Sequence, residues 1–268
     1  MSPSDNLVSV DVDNGVATIT LNRPDAGNAM SLPFVRELSA AVDRVDCDGD
    51  VRCVILTGAG RFFSVGGDIG GFREAGADVP LLLRTITGHL HGAVSGLMRM
   101  NKPVVTAING PAAGAGLGLA IVGDVAIAAE QAHFSTAYTA IGLTPDAGTS
   151  ALLPRLVGLR MAQDLLLTNR RVSAAEAVEI GLVTRSVAAD QLQSEAMAVV
   201  RKLAEGPVHA FATVRRLLAS GFDQPLEAQL ECEARAISEA AGHSEGREGI
   251  SAFLQKRAPI FVPPPAEA

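Results

Sequence analysis

Two short stretches rich in glycine and alanine hold the backbone groups best suited to chemistry. They are Ser64-Val65-Gly66-Gly67-Asp68 and Asn109-Gly110-Pro111-Ala112-Ala113-Gly114-Ala115-Gly116-Leu117-Gly118. Small side chains let a backbone bend tightly and leave its amide groups uncovered. A carbonyl oxygen can then approach those amides without meeting a side chain. Two separate turns, each offering an N–H, are what stabilising the oxyanion of a thioester requires. Either stretch alone is equally well a tight structural turn, and only the pair points to a site.

The titratable candidates are few. Asp146 lies in Gly142-Leu143-Thr144-Pro145-Asp146-Ala147-Gly148-Thr149, after a proline and before a helical run over 147–153. A carboxylate there can cap the helix through its side-chain oxygen or act as a base. His91, in Ile86-Thr87-Gly88-His89-Leu90-His91, carries an imidazole suited to acid–base work near neutral pH. A lone histidine on a helix is more often structural or exposed, and His133, His209 and His243 have no partner at catalytic spacing. Tyr138 is the one tyrosine of the chain and can donate a hydrogen bond through its hydroxyl. Cys47, Cys53 and Cys232 are odd in number and follow no metal-ligand spacing, so they read as ordinary thiols of a reducing compartment. Neither a metal nor a redox cofactor is expected.

Behind these residues the chain must supply a scaffold, and its pattern changes along its length. Residues 7–12, 16–22, 52–57, 104–108 and 125–129 read as strands. Between them, 31–46 has helical spacing at Leu32, Val35, Leu38, Val42 and Val45, with Ser31 as N-cap. A longer helix is expected over 79–100. Strands alternating with helices suggest βαβ units wound into a sheet or superhelix. After about Arg160 almost everything reads as helix. Ser173-Ala174-Ala175-Glu176 has the form of a capping box, and helices are expected over 190–205, 207–220, 225–241 and 245–256. The tail, 263–268, is expected to be a frayed end.

Composition narrows the class. A chain of 268 residues, 48% hydrophobic, can bury a large core as one domain or a domain with an appendage. The net charge of −7, from 22 basic and 29 acidic residues, argues against a nucleic-acid-binding surface. Apolar stretches are interrupted before a membrane span could form. The start, Met1-Ser2-Pro3-Ser4-Asp5, has no basic patch and no apolar run of an export signal, so a cytoplasmic location is expected.

Taken in order, the motifs resemble the enoyl-CoA hydratase/isomerase (crotonase) superfamily along nearly the whole chain. The series runs from Leu21-Asn22-Arg23-Pro24 and Asn28-Ala29-Met30-Ser31 through Val54-Ile55-Leu56-Thr57-Gly58 and the turn at 63–68. It continues with Asn101-Lys102-Pro103-Val104, the loop from Asn109, and Leu153-Pro154-Arg155-Leu156-Val157-Gly158. It closes with 174–183, Glu245-Gly246-Arg247-Glu248-Gly249-Ile250 and Phe253-Leu254. Short glycine patterns occur in many folds; the ordered set carries the resemblance. It implies an α/β fold with a crotonase-like ββα superhelical spiral core over 1–200 and a helical trimerisation region over 201–268. The assembly implied is a homotrimer or a dimer of trimers. The substrate implied is an acyl-CoA thioester, its carbonyl held between the N–H groups of Gly67 and Ala115. Alanine stands at the second position where family members usually have glycine, and its methyl would narrow the acyl pocket. By the same resemblance Ala26, Gly66 and Asp68 line the CoA arm, and Phe253 and Lys256 reach its nucleotide end. Coenzyme A is then part of the substrate, with no separate cofactor.

The departures from the family pattern bear on the reaction. Hydratases of the family carry two glutamates that handle water and the α-carbon proton, and their positions match Gly118 and Tyr138 here. Neither is a carboxylate, so efficient hydration is not expected. Asp146 matches an aspartate borne by two branches. One comprises enoyl-CoA isomerases, including those acting on phenylacetate-derived CoA esters. The other comprises 4-chlorobenzoyl-CoA dehalogenases, whose catalytic histidine matches His91 and whose aspartate-positioning tryptophan is replaced by Tyr138. Three readings follow: an isomerase shuttling a proton through Asp146, a dehalogenase-like hydrolase with Asp146 as nucleophile, and a non-catalytic acyl-CoA-binding protein.

Overall fold

The computed structural model describes residues 6–262; the tail expected to fray lies outside them. The chain opens with β1 (Val8–Asp13) and β2 (Val16–Leu21), an antiparallel hairpin turning through Asn14-Gly15. Both turn residues have positive φ, +49° and +76°, the conformation that suits a two-residue Asn-Gly turn. From there β2 pairs in parallel with β3 (Cys53–Gly58), with α1 (Leu32–Cys47) as the crossover. Next come α2 (Ile69–Ala75) and α3 (Val79–Arg99), then β4 (Val104–Ile108), which pairs with β3. The long apolar runs of β3 and β4 are buried on both faces, as parallel strands between helices must be.

After β4 the chain makes β5 (Ala112–Ala113), α4 (Ala115–Ala120), β6 (Val125–Ala129) and β7 (His133–Ser135). Then follow α5 (Thr149–Val157), α6 (Leu159–Thr168), β8 (Val172–Ser173), α7 (Ala174–Glu179) and β9 (Arg185–Val187). The main sheet has the order β1-β2-β3-β4-β6-β9, and β5, β7 and β8 make a small second sheet. The end of the chain is helical: α8 (Leu192–Ala204), α9 (Val208–Ser220), α10 (Leu226–Gly242) and α11 (Ser244–Leu254).

Alternation along β3 divides the core. Val54 and Leu56 join the cluster that includes Phe34, Leu38 and Val42 of α1 and Leu90 and Leu97 of α3. Cys53 and Ile55 point the other way, into a cluster closed by Leu192, Ala196 and Val200 of α8. Burial pushes the Cys53 thiol up to about 12, so this cysteine packs as a small hydrophobe. Helices α1 and α3 approach closely because residue 96 is glycine; a Cβ there would lie 2.7 Å from Val42 Cγ1. Helix α9 is tied down by a largely buried cation. Arg215 of α9 bonds the carbonyls of Leu97, Met100 and Lys102 and pairs with Asp124 at 2.8 Å.

Where the structure departs from sequence pattern, a local cause is visible. Strand β9 falls in the stretch read as helical, because Arg185–Val187 gains its register from Ile127–Ala129 of β6. Ser31 occupies the N-cap of α1 but makes no side-chain capping bond. At α7 half the capping box forms: Ser173 Oγ accepts from the Glu176 N–H at 3.2 Å. The Glu176 carboxylate turns instead to Arg170 at 2.6 Å. Among the described residues no helix is long and apolar enough to cross a membrane.

Candidate active site

The two glycine-rich turns meet. Single parallel bridges join Met30 to Gly67 and Ser64 to Ala112, and the Ala113 N–H donates to Ser64 O at 2.9 Å. Small residues are required where the turns touch. A Cβ on Gly66 would lie 2.7 Å from Ala113 O and 3.2 Å from Ala115 N, and one on Gly116 only 2.3 Å from Ser64 O. The first turn is also held from behind by Asn28, which is fully buried. Its amide donates to the carbonyls of Ala59, Phe62 and Phe63 at 2.8–3.0 Å. Among the described residues the N–H groups of Gly67 and Ala115 have no hydrogen-bond partner. Both residues line one cavity of about 580 Å³. Two uncommitted donors beside one cavity are suited to stabilising an oxyanion.

Asp146 enters the same cavity from the loop before α5. It does not cap that helix: the N-cap is Gly148, with φ +76°. Its Oδ1 instead accepts from Tyr138 Oη at 2.7 Å, and Tyr138 Oη also lies 3.3 Å from Thr149 Oγ1. Burial pushes the Asp146 carboxyl above its usual range, and Tyr138's hydrogen bond pulls it back. Burial, then the Asp146 charge, raise the Tyr138 hydroxyl far above its ordinary value, which keeps it a neutral donor. Ala147, next in the loop, holds a left-handed φ of +49°, a conformation that is uncommon for residues with a Cβ. Its N–H donates to His91 Nε2 at 3.2 Å, so a side chain from α3 pins this turn.

The cavity gathers five residues singled out from sequence, Gly67, Ala115, Tyr138, Asp146 and His91. Arg84 and Thr87 of α3 line it as well, and sequence reading passed over both. Their signal was the helical spacing 80, 84, 87, 91, which puts them on one face with His91. The residues expected around the CoA arm do not line this cavity. Asp68 is the N-cap of α2, accepting from Gly71 N at 3.2 Å and pairing with Arg23 at 2.7 Å. The hydrogen bond from Arg23 leads in holding its carboxyl below the usual range. Ala26 ends a short 3-10 turn, and Gly66 is buried beside Ala115. Phe253 is 84% exposed at the end of α11, and Lys256 is exposed just beyond it.

Gly118 sits where no side chain fits. A Cβ there would lie 2.6 Å from Ala147 Cβ and 2.8 Å from Ala147 O. The turn carrying Asp146 already fills that space.

A second group of titratable side chains forms far from the cavity. His209, His243 and Glu245 offer ligand atoms within 4.8 Å of one another, a proximity that sequence spacing did not reveal. The two imidazoles are stacked, centroids 4.0 Å apart and 8° from parallel. Ring lone pairs lie in the ring planes, so parallel stacked rings cannot converge on one ion as arranged. Glu245 Oε2 already accepts from the His209 N–H, and His243 Nδ1 from the Glu245 N–H. These bonds lock the starts of α9 and α11 together.

The sequence profile of the enoyl-CoA hydratase/isomerase family matches residues 11–263. A protein of Rhodobacter capsulatus described as a probable enoyl-CoA hydratase is 38% identical over 257 residues, 96% of this chain and 98% of that one. The 4-chlorobenzoyl coenzyme A dehalogenase-2 of Arthrobacter is 36% identical, over 95% of this chain and 93% of its own. The 1,2-epoxyphenylacetyl-CoA isomerase of Escherichia coli is 37% identical, over 94% and 96%. The crystal structure of an enoyl-CoA hydratase from Bacillus anthracis superimposes with a TM-score of 0.89 at 32% identity, covering 95% of this chain and 98% of that one.

Proposed function

The chain belongs to the enoyl-CoA hydratase/isomerase family, and from that premise we propose that it is an enoyl-CoA isomerase with Asp146 as its proton shuttle. One observation carries the reading: a partly buried carboxylate, held by Tyr138, shares a cavity with two uncommitted N–H donors. The thioester oxygen would sit between the Gly67 and Ala115 N–H groups. Asp146 takes a proton from C2; the C–H electron pair moves into the dienolate, and negative charge gathers on the oxygen the two donors face. Each such donor contributes about 3–4 kcal/mol on the scale of oxyanion-hole deletions. The protonated Asp146 then delivers a proton to C4 and the double bond moves into conjugation. A carboxyl raised by burial suits this work, since a shuttle must both accept and return its proton.

The dehalogenase-like reading draws on the juxtaposition of Asp146, His91 and Tyr138. It asks His91 to activate water, yet His91 Nε2 accepts from the Ala147 N–H, which favours the Nδ1–H tautomer and leaves no free lone pair. The hydratase reading needs carboxylates at positions held by Gly118 and Tyr138. Assembly into trimers is part of the proposal, supported by the apolar surface that α9 and α10 leave open at Leu218, Leu230 and Ile237, 67%, 53% and 74% exposed. The test compares wild type, Asp146→Asn and His91→Gln on a β,γ-enoyl-CoA. Asp146→Asn is expected to abolish the double-bond shift with CoA-ester binding nearly intact, and His91→Gln to leave activity measurable. With 4-chlorobenzoyl-CoA, an aryl adduct on Asp146 in His91→Gln, seen by mass spectrometry, would favour the dehalogenase reading. A wild type that moves no double bond and forms no adduct would favour a binding protein.

A further inference from the structure

Beside the acyl cavity lies a second one of about 440 Å³, and three residues line both: His91, Pro145 and Asp146. The two cavities run end to end along one face of α3. Arg84, Thr87 and His91 line the first, and His91, Val94, Ser95 and Met98 the second. These positions are three and four residues apart, as one helix face requires. His91 stands at the junction and reaches across to the Ala147 N–H. The partition between the cavities is therefore one imidazole, one backbone hydrogen bond and the loop bearing Asp146.

The two oxygens of Asp146 are not equivalent. Oδ1 is engaged by Tyr138, whereas Oδ2 makes no hydrogen bond among the described residues. No fully buried side-chain oxygen or nitrogen among them lacks a partner, so Oδ2 reaches open space. The far end of the second cavity is polar and open, with Arg99 and Ser150 both exposed.

Resting on the isomerase reading, we propose that the second cavity is a solvent port through which Asp146 exchanges its proton with water during turnover, with His91 as a positioning residue that keeps the acyl group out of it. The step balances. Asp146 takes H⁺ from C2 and becomes a neutral carboxylic acid. In D2O the acid O–H becomes O–D, releasing HDO through the port. The O–D bond then breaks as the dienolate electron pair forms C4–D and the thioester C=O returns. A sealed carboxylic acid would instead hand the same proton from C2 to C4. Deuterium wash-in at C4 thus reports the port, while the double-bond shift itself does not depend on it.

Ser150→Leu and Ser95→Leu narrow the second cavity without touching the acyl cavity; Ser150→Ala is the control. A β,γ-enoyl-CoA is turned over in D2O, and the product is analysed for deuterium at C4 by mass spectrometry and NMR. Wild type and Ser150→Ala are expected to show substantial wash-in. Both leucine variants are expected to lower it several-fold while the rate in H2O holds. Wash-in unchanged by both folded leucine variants would overturn the port, as would a wild type transferring its proton wholly without exchange. Slower turnover confined to long acyl chains, with wash-in unchanged, would refute the port and make the cavity an acyl subsite. If wild type moves no double bond, the isomerase reading fails separately. The port is then read from C2 hydrogen exchange of a saturated acyl-CoA, where loss in the leucine variants supports it and no loss overturns it.

Discussion

Replacing Tyr138 with phenylalanine removes one hydroxyl and little else, because the residue is only 7% exposed and its ring keeps the same packing. Three contacts disappear: the 2.7 Å bond to Asp146 Oδ1, a long 3.5 Å one to the Asp146 carbonyl, and the 3.3 Å contact with Thr149 Oγ1. A hydrogen bond to a charged group contributes about 1.5–3 kcal/mol. That corresponds to roughly ten- to a hundredfold in the balance between the ionised and protonated carboxyl. Burial already pushes Asp146 up, and the Tyr138 bond leads the effects that pull it down, so its loss raises the carboxyl further. The base must be ionised to take the C2 proton, and activity rises with pH through its titration. In Tyr138→Phe that acid limb of kcat/KM should therefore move to higher pH. On the limb the variant should run about ten- to a hundredfold below wild type, and the two should converge toward alkaline pH.

The assay is the pH dependence of kcat/KM for conversion of a β,γ-enoyl-CoA to its conjugated isomer, followed by ultraviolet absorbance. Stability offers a second readout. Thr149 is fully buried, and its hydroxyl loses a partner in the variant, a cost of about 1–3 kcal/mol. Thr149→Val in the Tyr138→Phe background should recover part of that loss without moving the pH limb back. A uniform fall at every pH, with the limb unmoved, would refute the reasoning and place the Tyr138 hydroxyl on the substrate. No change at all would remove Asp146 as the base.

Other expectations follow from the same turn. Asp146→Asn should melt higher than wild type at neutral pH. A carboxyl whose folded pKa is raised contributes stability below its ordinary 3.8 and loses it as pH rises through the folded value; the advantage should therefore shrink in acid, and a lower melting temperature at neutral pH would contradict this. Gly118→Glu should not restore hydration. Its Cβ meets Ala147 at 2.6 Å, so a loss of about 1–3 kcal/mol or more and a slower double-bond shift are expected, and crotonyl-CoA hydration equal to a dedicated hydratase would show that the turn yields readily.

How much was legible in the sequence depended on how local the cause was. The strands at β3, β4 and β6 announced themselves because burial on both faces demands an unbroken apolar run. Strand β9 did not: Arg185-Ser186-Val187 is a strand because β6 offers an unpaired edge, a fact absent from the three residues themselves. At the site, the two glycine- and alanine-rich turns were readable from composition, whereas the choice of Gly67 and Ala115 within them came from the family resemblance. Asp146 was visible as a carboxylate, but its two possible uses were separable only in space. Capping and catalysis call for the same residue type before a helix; Gly148 at the N-cap removes capping, and the 2.7 Å bond from Tyr138 shows where the carboxylate goes instead. Asn28 stood in one of the motifs, but its role did not show, because an asparagine that satisfies three carbonyls has no pattern along the chain. The pairing of His209 with His243 was hidden likewise, since the starts of two helices bring them together.

The exchange between Gly118 and the Asp146 turn explains why the carboxylate sits where it does. In α4 residue 118 is buried, and the space its side chain would need is held by Ala147. Ala147 is there because Ala147 and Gly148 both adopt left-handed conformations, +49° and +76°, folding the turn inward before α5 begins. A left-handed non-glycine residue carries a strain of order 1–3 kcal/mol. Here the burial of the Ala147 methyl, 0% exposed, and the bond from its N–H to His91 work against that strain. The same inward fold places Asp146 over the cavity and within reach of Tyr138. A side chain at 118 and a turn bent in this way exclude each other, so glycine at 118 and the inward placing of Asp146 are one structural event. His91 belongs to that event as the residue that accepts from the strained turn, which is why its substitution should loosen Asp146 before it alters any proton inventory.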